Sequence, residues 1–170
     1  RTRKNARSTC IPGPSTWDAV VRANAKVLEE AEAEAISFIR NVSSNYTGKA
    51  TVSYSGGKDS LATLILVLKA IGNVPLLFAD TGFEFPETYQ NVSDVAALYG
   101  LPVVRSDGNS RFWEGSDTHG PPAVNHSWRC SACKLLPLRE AIGATWGDCL
   151  SFIGQRRYES FKRKESSRVF

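Results

Sequence analysis

Apolar and polar positions along the chain alternate between two periods. Ala50-Thr51-Val52-Ser53-Tyr54, Val74-Pro75-Leu76-Leu77-Phe78-Ala79, Leu101-Pro102-Val103-Val104 and Leu150-Ser151-Phe152-Ile153 are short apolar runs bounded by Gly, Asn or Asp. They predict four buried strands. Between them lie helical patterns. Leu61 to Ile71 is apolar nearly all round, which predicts a helix buried against a sheet and other helices. Pro86 and Glu87 open the next helix and Gly100 closes it. Leu136 to Trp146 reads as another. Upstream, a helix starts near Ser15 or Thr16, and its stripe of Leu28, Ala31, Ala35, Phe38, Ile39 and Val42 runs on toward Gly48. Residues 106–128, rich in Gly, Asp, Ser, Pro and aromatics, read as a long loop.

Strands alternating with helices predict an α/β fold, a parallel sheet with helices on both faces. Ligands of such sheets bind beyond the carboxyl ends of the strands. Three polar segments fall there: Ser55 to Ser60, Asp80-Thr81-Gly82 and Gly154-Gln155-Arg156.

The first carries the most chemistry. Ser55-Gly56-Gly57-Lys58-Asp59-Ser60 joins a strand to a helix. Glycines let a backbone approach an anion closely, and the first-turn N–H groups with the helix dipole point at it. The spacing is not that of the longer Walker A loop.

Composition changes this picture little. At 170 residues, with 42% hydrophobic and 22% charged residues, one compact domain is expected at 15–170, preceded by a basic linker or domain tail at 1–14. With no Met, a piece of a longer protein is expected; the 15–170 domain is also expected to be truncated on its C-terminal side. No run has the length of a membrane span and no secretion signal is read, so a cytoplasmic location is expected. The net charge is +4, but ten Lys and Arg sit in residues 1–7 and 156–168, leaving the middle acidic. These ends are either solvated tails or a rim facing RNA or polyphosphate.

The Ser55–Ser60 segment resembles the pyrophosphate-binding loop (PP-loop) of the adenine nucleotide α-hydrolase superfamily. Asp80-Thr81-Gly82-Phe83-Glu84-Phe85-Pro86-Glu87-Thr88 resembles a segment of the phosphoadenosine phosphosulfate (PAPS) reductases. Cys130-Ser131-Ala132-Cys133-Lys134-Leu135-Leu136-Pro137-Leu138 and Gly154-Gln155-Arg156-Arg157-Tyr158-Glu159-Ser160-Phe161-Lys162-Arg163 resemble two further motifs of that family, in the same order. Gly120-Pro121-Pro122 before Trp128-Arg129-Cys130 resembles a branch common in archaea.

The resemblance implies an adenine nucleotide ligand: PAPS, adenylyl sulfate (APS) or ATP. It implies that Ser55, Gly56, Gly57 and Ser60 cradle phosphate, and that Lys58 neutralises charge. Asp59 either holds Mg²⁺ or caps the helix. Asp80, Thr81, Gly82 and Gly154 complete the nucleotide site. Lys134, Arg156, Arg157 and Arg163 supply charge for phosphate or sulfate oxygens, which Arg engages with a two-pronged fork. Lys58, Asp59, Asp80 and Arg156 are the implied catalytic set.

The cysteines depart from the family. Its Glu-Cys-Gly nucleophile segment is missing, and Arg129 breaks the tandem Cys-Cys of the cluster-bearing branch. Cys130 and Cys133 remain as a half-site for zinc or iron–sulfur, with Cys149 a candidate third ligand toward a [4Fe–4S] centre or Zn²⁺. Two activities are implied. One is reduction of an adenylyl sulfate, with thioredoxin or an Fe–S protein as electron donor. The other is ATP-dependent adenylation and sulfur transfer to an acceptor such as tRNA. A nucleotide- or cluster-binding module without turnover is the third reading.

Overall fold

A computed structural model describes residues 14–121, 128–156 and 168–169. The chain divides into two compact units, Arg1–Ala35 and Ile36–Phe170. In the first lie α1 (Pro14–Ala23) and the start of α2 (Ala25–Ser44). The expected single helix is therefore two. Asn24 separates them, and its side-chain amide donates to the Val20 carbonyl at 2.8 Å, a local bond that competes with continuing the helix. Leu28 and Ala31 of the expected stripe are exposed; Ile39 is the residue of α2 that is buried.

The second unit is built on four parallel strands: β1 (Lys49–Ser53), β2 (Leu76–Asp80), β3 (Val103–Asp107) and β4 (Cys149–Ile153), in the order β3-β2-β1-β4. The chain moves outward from β1 to β2 to β3, then returns across the sheet to β4. Right-handed crossovers therefore place α3 (Lys58–Ile71) and α4 (Pro86–Tyr99) on one face, and α6 (Leu136–Trp146) on the other.

The register explains the core. Val52 aligns with Leu76 and with Phe152, so these three side chains share the α3/α4 face. There they pack with Phe78, Tyr54, Leu64, Val67, Val92, Val95 and Ile39. Leu77, Ala79 and Ser106 point the other way, toward the side where α6 packs on β2 and β3.

Residues 106–128 are not the loop that their composition suggested. β3 runs on to Asp107, and Asn109–His119 form a helix, α5. No α5 residue is buried, so apolar periodicity could not signal it. Aromatic contacts hold it instead. Phe112 packs edge-on against Phe83 at 4.5 Å, and Trp128 lies 5.9 Å from Phe112. Gly115 leaves room for the Trp128 ring. After Trp128 and Arg129, Cys130–Leu135 form a π-helical segment that feeds directly into α6.

Candidate functional site

The three segments expected at the strand ends converge there. β1 ends at Ser53, and the chain turns through Ser55-Gly56-Gly57 into α3. Gly56 has φ of +74°, a conformation open to glycine, and its α-carbon faces the first turns of α4 so closely that a side chain would meet Thr88. Ser60 is buried; its hydroxyl donates to the Gly57 carbonyl at 2.8 Å and accepts from the Ser55 N–H at 3.3 Å. Ser60 thus braces the loop from within. No side chain caps Gly57, so the first-turn N–H groups of α3 face outward uncapped.

Lys58 extends from this turn, its side chain 77% exposed, 3.5 Å from Asp59. The other Asp59 oxygen is 3.0 Å from Nε of Arg156, beyond the end of β4. Asp59 is therefore not the helix cap. Two cations hold its carboxylate, and among the described residues no group of three metal-binding side chains gathers. This does not fit a dedicated Mg²⁺ site of several oxygen ligands. Gly154 makes the approach of β4 possible, since a side chain there would lie 2.6 Å from the Asp59 carbonyl oxygen. Its place in the site is close packing against α3.

Asp80, the last residue of β2, is 3% exposed. One carboxylate oxygen accepts from the Gly82 N–H and the Tyr89 hydroxyl, both at 2.8 Å. The other pairs with Arg105 of β3. Burial pushes the Asp80 carboxyl up, but the bonds from Gly82, Tyr89 and Arg105 outweigh it and hold the group below its usual value. The same bond, with burial, raises Tyr89. Asp80 is thus favoured as a carboxylate, and it shapes the Asp80-Thr81-Gly82 turn. The Thr81 hydroxyl donates to Glu84 at 3.1 Å.

Sequence reasoning gave no role to Tyr89 or Arg105, although both belong to this cluster. Their only signals were an aromatic in the first turn of α4 and a lone Arg at the end of an apolar strand.

Among the described residues, the three candidate cysteines do not gather. Cys133 is buried, with its carbonyl packed against Gly108 just past the end of β3, and Cys130 is exposed in the same π-helical segment. Cys149 begins β4, aligned with Lys49 at the amino end of the sheet. With strands roughly 4.8 Å apart, three strand spacings separate β3 from β4 by roughly 14 Å, and Cys149 also sits at the opposite end. A three-thiolate centre of Cys130, Cys133 and Cys149 therefore does not fit. Burial also raises the Cys133 thiol, which makes it a poorer thiolate. Lys134 is exposed in the last turn of that segment. Arg157 and Arg163 lie outside the described residues. An open groove of about 460 Å³, lined by Arg111, Glu114, His119 and Ala132 among others, contains no phosphate-loop residue.

Residues 49–170, from the first strand onward, match the phosphoadenosine phosphosulfate reductase domain family. An uncharacterized protein of Methanocaldococcus jannaschii is 44% identical over 155 residues, 90% of this chain and 32% of that protein. Sulfate adenylyltransferase subunit 2 of Yersinia enterocolitica is 42% identical over 149 residues, 84% of this chain and 47% of that protein. The chain thus spans a third to a half of these relatives. The phosphoadenylyl-sulfate reductase of Candida auris, solved as a phosphate complex, has a similar fold (TM-score 0.52, 22% identity, 91% of this chain and 73% of that one). Together with the uncapped glycine loop at the strand ends, the match places the chain in a nucleotide-binding family of sulfur metabolism, and it belongs to the phosphoadenosine phosphosulfate reductase domain family.

Proposed function

We propose that this domain binds an adenylyl nucleotide at the carboxyl ends of β1, β2 and β4, as the nucleotide site of a PAPS reductase-like enzyme. The uncapped start of α3 beneath the Gly56–Gly57 turn, flanked by Lys58 and Arg156, carries the reading. It offers N–H donors and two cations to one polyphosphate or phosphosulfate group. In the reductase reaction a thiolate attacks the sulfate sulfur of the bound nucleotide. The sulfur–oxygen bond to the adenylyl phosphate breaks, the sulfo group moves to the thiol, and the nucleotide leaves as AMP from APS or as adenosine 3′,5′-bisphosphate from PAPS. A dithiol donor such as thioredoxin, or an Fe–S protein, then supplies two electrons and releases sulfite.

A second reading is favoured by the identity to sulfate adenylyltransferase subunits. There ATP with Mg²⁺ is the nucleotide, pyrophosphate leaves on the Ser55–Ser60 loop, and the adenylyl group goes to an acceptor, tRNA among the candidates. Mg²⁺ would then be held chiefly by the nucleotide's own phosphates, because Asp59 is engaged by Lys58 and Arg156.

The test is calorimetric titration of the whole protein, purified without oxygen, with ATP, APS and PAPS. At least one should bind, and Lys58→Ala should weaken it about tenfold or more, the loss of one charge-assisted contact. Failure of all three to bind, or binding indifferent to Lys58→Ala, would overturn the reading. Preference for ATP over both sulfated nucleotides would favour the adenylating reaction.

A further inference from the structure

Cys130 and Cys133 are two thiols to which the phosphate loop gives no role. They stand three residues apart in the π-helical segment, Cys130 exposed and Cys133 buried. Residues at this spacing are neighbours on one helix face, with β-carbons roughly 5–6 Å apart. π-helical turns are rare and often occur at functional sites. Among the described residues, no third metal-binding side chain gathers with the pair.

An exposed thiol beside a buried one is arranged for disulfide exchange. Cys130 is open to a reagent from solvent, while Cys133 is shielded from solvent but close enough to Cys130 to feel its charge. Arg129 and Arg111 of α5 bring positive charge to Cys133, which favours its thiolate against burial. A disulfide needs β-carbons roughly 3.5–4.5 Å apart, so closing the bond draws the two residues together by roughly 1–2 Å.

The buried member is tied to the carboxyl end of the sheet. Its carbonyl lies against the α-carbon of Gly108 so closely that a side chain there has no room. The Gly108 N–H donates to the Asp80 carbonyl at 2.8 Å, and the Asp80 carboxylate accepts from the Gly82 N–H. A shift of Cys133 is therefore passed through Gly108 to the Asp80-Thr81-Gly82 turn.

We infer that Cys130 and Cys133 form a reversible thiol–disulfide site for low-molecular-weight disulfides, and, resting on the nucleotide reading above, that its oxidation lowers nucleotide affinity. The Cys130 thiolate attacks one sulfur of the incoming disulfide, whose S–S bond breaks and releases one half as a thiolate. The Cys133 thiolate then attacks Cys130 Sγ, and the second half leaves in the same way. The two cysteines lose two electrons and two protons, and the small disulfide is reduced to two thiols.

In the experiment the whole protein is equilibrated with mixtures of reduced and oxidised glutathione, its remaining thiols are alkylated, and its peptides are mapped. A Cys130–Cys133 disulfide should form, and excess reduced glutathione should remove it. Cys133→Ser should stop at a glutathione adduct on Cys130. If that variant unfolds, Cys130→Ser takes its place and should leave Cys133 unmodified. ATP, APS and PAPS are titrated into the reduced and oxidised wild type by calorimetry. The oxidised form should bind about fivefold or more weakly, the low end of coupling between two sites. Saturating nucleotide should in turn make the disulfide easier to reduce by the same factor. A wild type whose Cys130 stays free, keeps a glutathione adduct or pairs with another cysteine overturns the thiol–disulfide site. Disulfide formation with unchanged affinity overturns its control of the nucleotide. Binding of no nucleotide by the reduced form overturns the nucleotide reading and the control built on it, while the peptide map still decides the thiol–disulfide site.

Discussion

Asp59 and Arg156 meet at 3.0 Å beyond the carboxyl ends of β1 and β4. One belongs to the first turn after the phosphate loop, the other to the segment leaving β4, 97 residues later in the chain. Gly154 brings them together, because only a residue without a side chain lets β4 lie against the Asp59 backbone. The pair thus joins two of the family's motifs into one surface.

Both partners are partly exposed, at 36% and 58%. Such pairs contribute about 0–1 kcal/mol to folding. Arg156→Ala should therefore change stability by less than about 1 kcal/mol in urea unfolding. Its effect on nucleotide affinity should be larger, about tenfold or more, if Arg156 contacts the ligand's anionic end. A large stability loss with unchanged affinity would give the pair a structural role only.

Two glycines should respond in opposite directions. Gly154→Ala forces a methyl against the Asp59 carbonyl and Thr63, and overpacking of this kind costs about 1–3 kcal/mol. Gly143 lies inside α6 with open space around it. Gly143→Ala should stabilise the protein by about 0.5–1 kcal/mol, since alanine is the better helix former. Chemical denaturation of both variants checks the pair.

Asp80 should leave a signature in acid. Its folded-state pKa lies below the unfolded value, near the ordinary 3.8. Its stabilisation is therefore complete above that value and is lost as pH falls through the lower folded one. Asp80→Asn should destabilise the protein at neutral pH by about 1.5–3 kcal/mol, the scale of hydrogen bonds to a charged group, and should flatten the acid limb of the stability profile. Unfolding midpoints measured from pH 2 to 7 on both proteins test this. An unchanged acid limb would mean that another carboxylate controls it.

Thiol labelling should rank the cysteines by exposure. Among the described cysteines, Cys130 should react first with a water-soluble alkylating reagent, Cys149 more slowly, and Cys133 only when the protein opens, since it is 1% exposed and its thiol is pushed up by burial. Peptide mapping of timed labelling reads the order. In the same protein, Cys149→Ala should leave any bound iron or zinc unchanged, because Cys149 stands at the far end of the sheet from the other two.

Much of the fold was legible because local periodicity reports burial. The four strands and the helices after Gly57, Gly82 and Cys133 are apolar on the side that meets the core, and Gly or Pro marks their ends. α5 escaped because its contacts are aromatic and one-sided, with no buried residue to set a helical period. The break at Asn24 escaped for a related reason. There the Asn24 side chain adds a local bond to the Val20 carbonyl, and no hydrophobic period carries such a bond.

For the site, the glycine turn, Lys58, Asp59, Asp80 and the Arg156 segment were legible as candidates in the sequence, since each is a local motif whose chemistry its neighbours declare. Tertiary structure alone decided what those residues do to one another. It bound Asp59 to Arg156 and set Asp80 against Arg105. It also carried Cys149 away from Cys130 and Cys133. Each outcome depends on which strand lies beside which and at which end a residue emerges, and the order β3-β2-β1-β4 arises only when distant segments pack.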